Sequence, residues 1–216
     1  MAGYFFCESY LSGKCKTPNI STFSWRFKPS PNKFSKPKIF FSSSTQENLD
    51  NPYGKSKRAA EQVVEDFAAQ TGNPVVIYRL PNVFGKWCKP NYNSVVATFC
   101  YNIARNIPIE INVPEKKLEL VYIDDVVTSL IDSIFCHAPN GVTKYRVSPQ
   151  YSCSLEDLAN QINKFHKSRS SLVTEKVGTG FVRALYATYI SYLPREKFQY
   201  KVECHSDDRG AFVEML

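Results

Sequence analysis

The sequence predicts an α/β fold built on a doubly wound parallel sheet. Three observations lead there: short apolar runs that end in polar residues, amphipathic stretches that follow them, and a steady alternation of the two from Lys38 onward. The 216 residues suit one domain, or one domain with a piece of another, and a hydrophobic share of 43% is enough for a core. There are no internal repeats.

Taken in order, residues 1–37 come first and differ from the rest. They are rich in Ser, Lys, Pro, Phe and Tyr without sustained periodicity, and Pro29-Ser30-Pro31 and Lys36-Pro37 interrupt them further, so irregular structure is expected. Ile39-Phe40-Phe41 then reads as a buried strand whose C-terminal end is Ser42-Ser43-Ser44-Thr45. A helix follows: Asn51 is a good N-cap, Pro52 fits the first helical position, and Ala59, Ala60, Val63, Val64, Phe67 and Ala68 recur at helical spacing. Gly72 with Asn73-Pro74 ends it, and Val75 to Leu80 is the next buried strand. Val95, Val96, Phe99, Cys100 and Ile103 form a second helical stripe, and Leu118 to Ile123 a further strand. Asp124 or Asp125 is expected to cap a helix carrying Val126, Val127, Leu130, Ile131 and Ile134. Tyr145-Arg146-Val147 reads as a short strand, and Ser154-Leu155-Glu156-Asp157 opens a last helix with a near capping box.

Composition limits the function classes. The formal net charge is +7, and seven basic residues against Glu8 alone lie in the first 40 positions. A basic excess suits an anionic substrate or a solvated surface; no aromatic-basic signature or zinc-finger spacing supports nucleic acid. The seven cysteines are odd in number and scattered, with no Cys-x-x-Cys pair, which argues against a secreted disulfide framework and a structural zinc site. Most are expected to be buried small apolar residues in a reducing cytoplasm. No apolar run is long enough to span a membrane, and no clean signal-peptide core is present, so no metal site and no membrane insertion are expected.

Chemistry concentrates around Asn51-Pro52-Tyr53-Gly54-Lys55-Ser56-Lys57. Tyr53 and Lys57 are four apart and share one helix face. A free phenol titrates near pH 10, about three units above neutrality, and a fixed ammonium one turn away favours the phenolate. Such a pair can exchange a proton with an alcohol or ketone. The hydroxyls of Ser42 to Thr45 stand just ahead, at the strand end where open α/β sheets bind ligands. Tyr-x-x-x-Lys by itself also occurs on ordinary solvated helix faces. Arg79 could meet a phosphate or an ion-pair partner.

The Ser-Ser-Ser strand end, Asn-Pro-Tyr-Gly-Lys-Ser-Lys, Tyr78-Arg79-Leu80-Pro81-Asn82-Val83-Phe84-Gly85 and Val121-Tyr122-Ile123-Asp124-Asp125-Val126 resemble the extended short-chain dehydrogenase/reductases, the NAD-dependent epimerase/dehydratase group. Gly85-Lys86-Trp87-Cys88-Lys89-Pro90-Asn91-Tyr92-Asn93-Ser94-Val95 resembles one subgroup more narrowly, the bifunctional capsular polysaccharide enzymes of UDP-N-acetyl-L-fucosamine synthesis. That resemblance implies a Rossmann-like reductase domain that reduces a UDP-4-keto-6-deoxy-hexosamine with NADPH or NADH, followed by a metal-binding cupin domain. It implies Tyr53 as proton donor and Lys57 as the group that lowers its pKa and holds the nicotinamide ribose. Ser44 is the preferred carbonyl-orienting hydroxyl, with Ser43 and Thr45 as rivals; Ser43 and Pro81 join Tyr53 and Lys57 as cofactor contacts. Asn82, Lys89, Asn91 and Asn93 are the implied substrate contacts. Lys89 to Ser94 can equally be a polar loop ending at a helix cap, and Asp124 and Asp125 read as cap residues rather than catalysts. A family homo-oligomer is a further possibility of the resemblance.

A sugar dehydratase of this superfamily carries an Asp-Glu pair directly after the active hydroxyl; Thr45-Gln46 stands there instead, which favours plain ketone reduction. The chain also departs from the family. No Gly-x-x-Gly-x-x-Gly or Gly-x-Gly-x-x-Gly precedes Ser42, and the first βαβ units are not recognisable. Residues 193–216 resemble a linker and the first strand of the cupin domain, without its metal-binding histidines, and His205 reads as a surface residue. The expectation is therefore the C-terminal part of a reductase domain over residues 38–192 with a stub of a cupin, a chain truncated at both ends. The alternatives are a non-catalytic fragment with severely weakened cofactor binding, and a basic binding module working through its N-terminal segment.

Overall fold

A computed structural model describes residues 6–7, 36–136, 141–199 and 204–213. The irregular structure expected for residues 1–37 lies outside the described residues except for residues 36 and 37 and the short strand β1 (Phe6–Cys7). The chain divides into two compact units: Met1–Leu80 with Asp132–Arg146, and Pro81–Ile131 with Val147–Leu216.

The first unit is a parallel sheet. Its strands are β1, β2 (Ile39–Ser44), β3 (Val75–Leu80) and β6 (Val142–Tyr145), in the order β1-β2-β3-β6. Phe40 and Phe41 on β2, and Val75, Val76, Ile77 and Tyr78 on β3, are buried, the continuous apolar runs of a strand covered on both faces. A 3-10 helix, Thr45–Asn48, leaves β2, and α1 (Pro52–Thr71) crosses back to β3. The start of α1 matches its sequence signals, since Asn51 Oδ1 accepts from the Gly54 N–H at 2.7 Å and Pro52 takes the first position. Its end does too: Gly72 adopts φ +66°, a left-handed C-cap. Phe41, Ala68, Val75 and Ile77 form the core here, with Ile39, Ala60 and Val64 packed against it. The expected stripe on α1 is only half inward, because Ala59 and Val63 are exposed while Glu61 is buried.

The second unit carries β4 (Asn82–Phe84), β5 (Lys117–Tyr122) and β7 (Gln150–Ser154) in the order β4-β5-β7. β4 runs parallel to β5, but β7 is antiparallel to it. β7 is a single antiparallel strand added at the edge of an otherwise parallel arrangement, which doubly wound folds commonly carry. Helices α2 (Val95–Ala104), α4 (Leu155–Ser171) and α5 (Gly180–Ser191) pack with this sheet around Phe84, Phe99, Cys100, Leu120, Leu158 and Leu185. Ser154 caps α4 as expected, accepting from the Asp157 N–H at 3.0 Å. Helix α3 (Ile123–Phe135) starts at Ile123, so Asp124 and Asp125 sit inside its first turn rather than at the cap. There their charge still suits the positive end of the helix. The strand expected at Tyr145–Val147 is β6, shifted to Val142–Tyr145. The C-terminal residues form an exposed hairpin, β8 (Cys204–Asp207) with β9 (Gly210–Val213), that includes His205.

Among the described cysteines only Cys100 is buried; Cys88 and Cys153 are half-buried, and Cys136 and Cys204 are exposed. Burial of most cysteines is thus not met in the described residues. No helix of the described residues is long and apolar enough to cross a membrane.

Candidate active site

The first unit gathers Ser42, Ser43, Ser44, Tyr53 and Lys57 around the C-terminal end of β2. Helix α1 begins a few residues after that strand end, so its first two turns pass beside it. Gly54 makes this possible. A Cβ there would lie 2.4 Å from the Leu49 carbonyl oxygen and 2.5 Å from that of Gln46, both main-chain atoms. Tyr53 is 43% exposed, so its phenol can meet a ligand. The Lys57 ammonium stands 5.7 Å from the centre of the Tyr53 ring and donates to the Ser42 carbonyl oxygen at 3.5 Å. The pair expected on one helix face is therefore a physical pair, and its lysine is tethered to the strand end.

The two serine hydroxyls that compete for the carbonyl-orienting role have different partners. Ser44 Oγ accepts the Gln46 N–H at 3.2 Å and caps the 3-10 helix, from a buried side chain. Ser43 Oγ donates to Glu61 Oε1 at 2.5 Å on the opposite face of the strand, where Phe41 also points. Thr45 begins the 3-10 helix.

Behind the serines lies a charged cluster. Ser43 and Arg79 are register partners on β2 and β3, so their side chains share the face toward α1. Arg79 binds Glu61 through Nε at 3.1 and 3.3 Å and Nη2 at 2.6 Å, and Glu47 through Nη1 at 2.8 Å. Lys144 on β6 reaches Glu65 at 2.8 Å and Glu61 at 3.9 Å. Burial alone would raise the Glu61 carboxyl. The hydrogen bonds from Arg79 and Ser43, with the charges of Arg79 and Lys144, outweigh it and hold that carboxyl below its ordinary value. The same hydrogen bonding raises Arg79 above its own. Arg79 is thus an ion-pair partner, one of the two roles open to it in the sequence. Glu47, on the 3-10 helix that follows the serines, is likewise engaged by Arg79.

The second unit holds the remaining candidates. Pro81 is buried, and Asn82 donates from Nδ2 to the Glu119 carbonyl oxygen at 3.0 Å. Lys89, Asn91 and Asn93 are exposed on the loop before α2. That loop is pinned: Lys86 pairs with Asp124 at 3.4 Å, Tyr192 Oη donates to the Cys88 carbonyl oxygen at 2.5 Å, and the Asn91 N–H donates to Thr98 Oγ1 at 2.9 Å. Trp87 and Asn91 both take left-handed φ, +64° and +54°, and Trp87 is 85% exposed. The Lys89 ammonium stands 5.5 Å above the Tyr92 ring. Ser94 caps α2, so the loop does end at a helix cap.

Glu61, Glu47 and Trp87 are the residues that the sequence did not single out. Glu61 follows Lys57 by four, a spacing that reads as an ordinary exposed i,i+4 pair. Only the strand register of Ser43 and Arg79 shows why it is buried.

Residues 30–134 match the NAD dependent epimerase/dehydratase family. A UDP-2-acetamido-2,6-beta-L-arabino-hexul-4-ose reductase from Pseudomonas aeruginosa is 52% identical over 178 residues, 82% of this chain and 48% of that protein. The structure of the capsular polysaccharide assembling protein CapF from Staphylococcus aureus is 45% identical, with a TM-score of 0.77, over 84% of this chain and 50% of that one. The chain thus spans about half the length of both. The Bordetella bronchiseptica enzyme WbmF, solved with NAD+ and UDP, shares the fold at 21% identity and a TM-score of 0.58, over 71% of this chain and 58% of its own.

Proposed function

We infer that this chain, a member of the NAD dependent epimerase/dehydratase family over residues 30–134, carries the proton-transfer half of a nucleotide-sugar ketoreductase. The substrate is a UDP-4-keto-6-deoxy-hexosamine on the way to a capsular or surface polysaccharide. The observation that carries this is the Tyr53/Lys57 pair, with its ammonium 5.7 Å from the phenol ring and beside the serine end of β2. A reduced nicotinamide, NADPH or NADH, supplies the hydride when bound. The residues present fit its ribose end: Lys57, tethered to the Ser42 carbonyl oxygen beside the Tyr53 ring, can donate to a ribose hydroxyl. Ser44 donates its hydroxyl hydrogen to the ketone oxygen, and Tyr53 delivers the proton to that oxygen as it becomes an alkoxide. Ser43 and Pro81 remain proposed cofactor contacts, and Asn82, Lys89, Asn91 and Asn93 proposed substrate contacts.

A second reading has its own observation. The 216 residues contain no glycine-rich turn to receive a dinucleotide pyrophosphate, so this chain alone would bind the cofactor weakly or not at all. Titrating the chain with NADPH while following nicotinamide fluorescence separates the two, and micromolar saturable binding removes the second. Tyr53→Phe should then abolish NADPH-dependent reduction of the keto sugar; activity that survives the change refutes the catalytic assignment. Residues 193–216 are proposed as the passage into a cupin-type domain, supported by the sequence resemblance and by the exposed hairpin there.

A further inference from the structure

The structure assigns Glu61 and Arg79 a role as positioning residues that set the rotation of α1 and so place Lys57 against Tyr53; this rests on the reductase reading above. Tyr53, Lys57 and Glu61 follow one another at intervals of four on one helix, so whatever fixes Glu61 fixes the face that carries the other two. Glu61 is held from two strands at once, by Ser43 of β2 at 2.5 Å and by Arg79 of β3 at 2.6 Å. Arg79 continues to Glu47 on the 3-10 helix at 2.8 Å. The Glu47 carbonyl oxygen in turn accepts from Arg58 Nε at 3.0 Å, and Arg58 is the neighbour of Lys57.

The contacts close a ring from α1 to β3, to the 3-10 helix, and back to α1. Ser43 of the strand end is tied to it through Glu61. A forked guanidinium on a buried carboxylate resists both sliding and rotation, because two parallel bonds define a plane. An apolar contact at the same place would tolerate either. Buried ionic groups of this kind add little net stability over an apolar replacement, so their presence beside the Tyr/Lys pair calls for a geometric reason.

The experiment uses the whole chain with 13C-labelled lysine ε-carbons. Lys57→Arg identifies the Lys57 signal, and Tyr53→Leu gives its position without the ring-current displacement of the phenol. In Glu61→Gln and Arg79→Gln the signal is expected to move toward its Tyr53→Leu position, and in Arg79→Lys to move part of the way. Ser43→Ala, which removes a single hydrogen bond and carries the test if the charge variants do not fold, is expected to give a smaller movement in the same direction. Circular dichroism establishes that each variant is folded. An unmoved Lys57 signal in folded Glu61→Gln, or in folded Ser43→Ala should the charge variants not fold, overturns the assignment and leaves the cluster a purely structural one. Where the wild type reduces the keto sugar, kcat of Glu61→Gln is expected to fall about tenfold or more with KM little changed. A fall in KM and kcat alike to wild-type efficiency in Arg79→Gln would also count against it. If the wild type reduces nothing, the reductase reading fails while the lysine signal still judges the positioning.

Discussion

Gly54 shows how much one methyl group decides. In an exposed helix interior, Gly→Ala usually stabilises by about 1 kcal/mol. Here the added Cβ would meet two carbonyl oxygens at 2.4 and 2.5 Å, and both belong to the main chain. Gly54→Ala is therefore expected to destabilise, by roughly 1–3 kcal/mol, as overpacking does; urea unfolding measures the sign. Tyr53 and Lys57 were legible because their spacing and helix start lie within seven residues. Glu61 was not, because its partners Ser43 and Arg79 come from strands 18 residues away on either side. The resemblance puts Ser44 ahead of its rivals Ser43 and Thr45, and strand parity sends the Ser43 hydroxyl to Glu61 and leaves Ser44 at the cap of the 3-10 helix.

At the scale of elements, α1 depends on its ends. Asn51→Ala removes the side chain that accepts the Gly54 N–H, and a loss of about 1 kcal/mol is expected, read as a lower urea midpoint. The same helix carries a pH dependence through Glu61, which faces Arg79, Lys144, Glu47, Glu65 and Ser43. Its folded carboxyl titrates below the ordinary 4.5. The unfolded chain thus binds the proton first as pH falls, and the stabilisation, complete above that value, is lost as pH drops through the folded one. Wild-type stability should fall more steeply below pH 4.5 than that of Glu61→Gln; parallel unfolding curves across that range would contradict this. Caps and apolar runs made β2, α1, β3, α2, β5 and α4 readable. β7 escaped because Gln150-Tyr151-Ser152-Cys153-Ser154 has no long apolar run, and its pairing is supplied by β5. α5 escaped because Gly178 and Gly180 at its start read as a loop.

At the scale of the molecule, each unit has its own core. Leu158 is fully buried in the larger one, and Leu158→Ala is expected to cost about 2–5 kcal/mol by chemical denaturation. Its size depends on how far α2, α4 and α5 close over the space. The sequence by itself determined the α/β class, the family resemblance, the strand-helix order and the Tyr53/Lys57 pair, since each is written in residues that are neighbours along the chain. Tertiary structure alone decided the antiparallel β7, the half-outward face of α1, the ion-pair role of Arg79 and the burial of Glu61. Those outcomes depend on which strands lie side by side and in what register, and local periodicity carries no information about register between segments far apart in sequence.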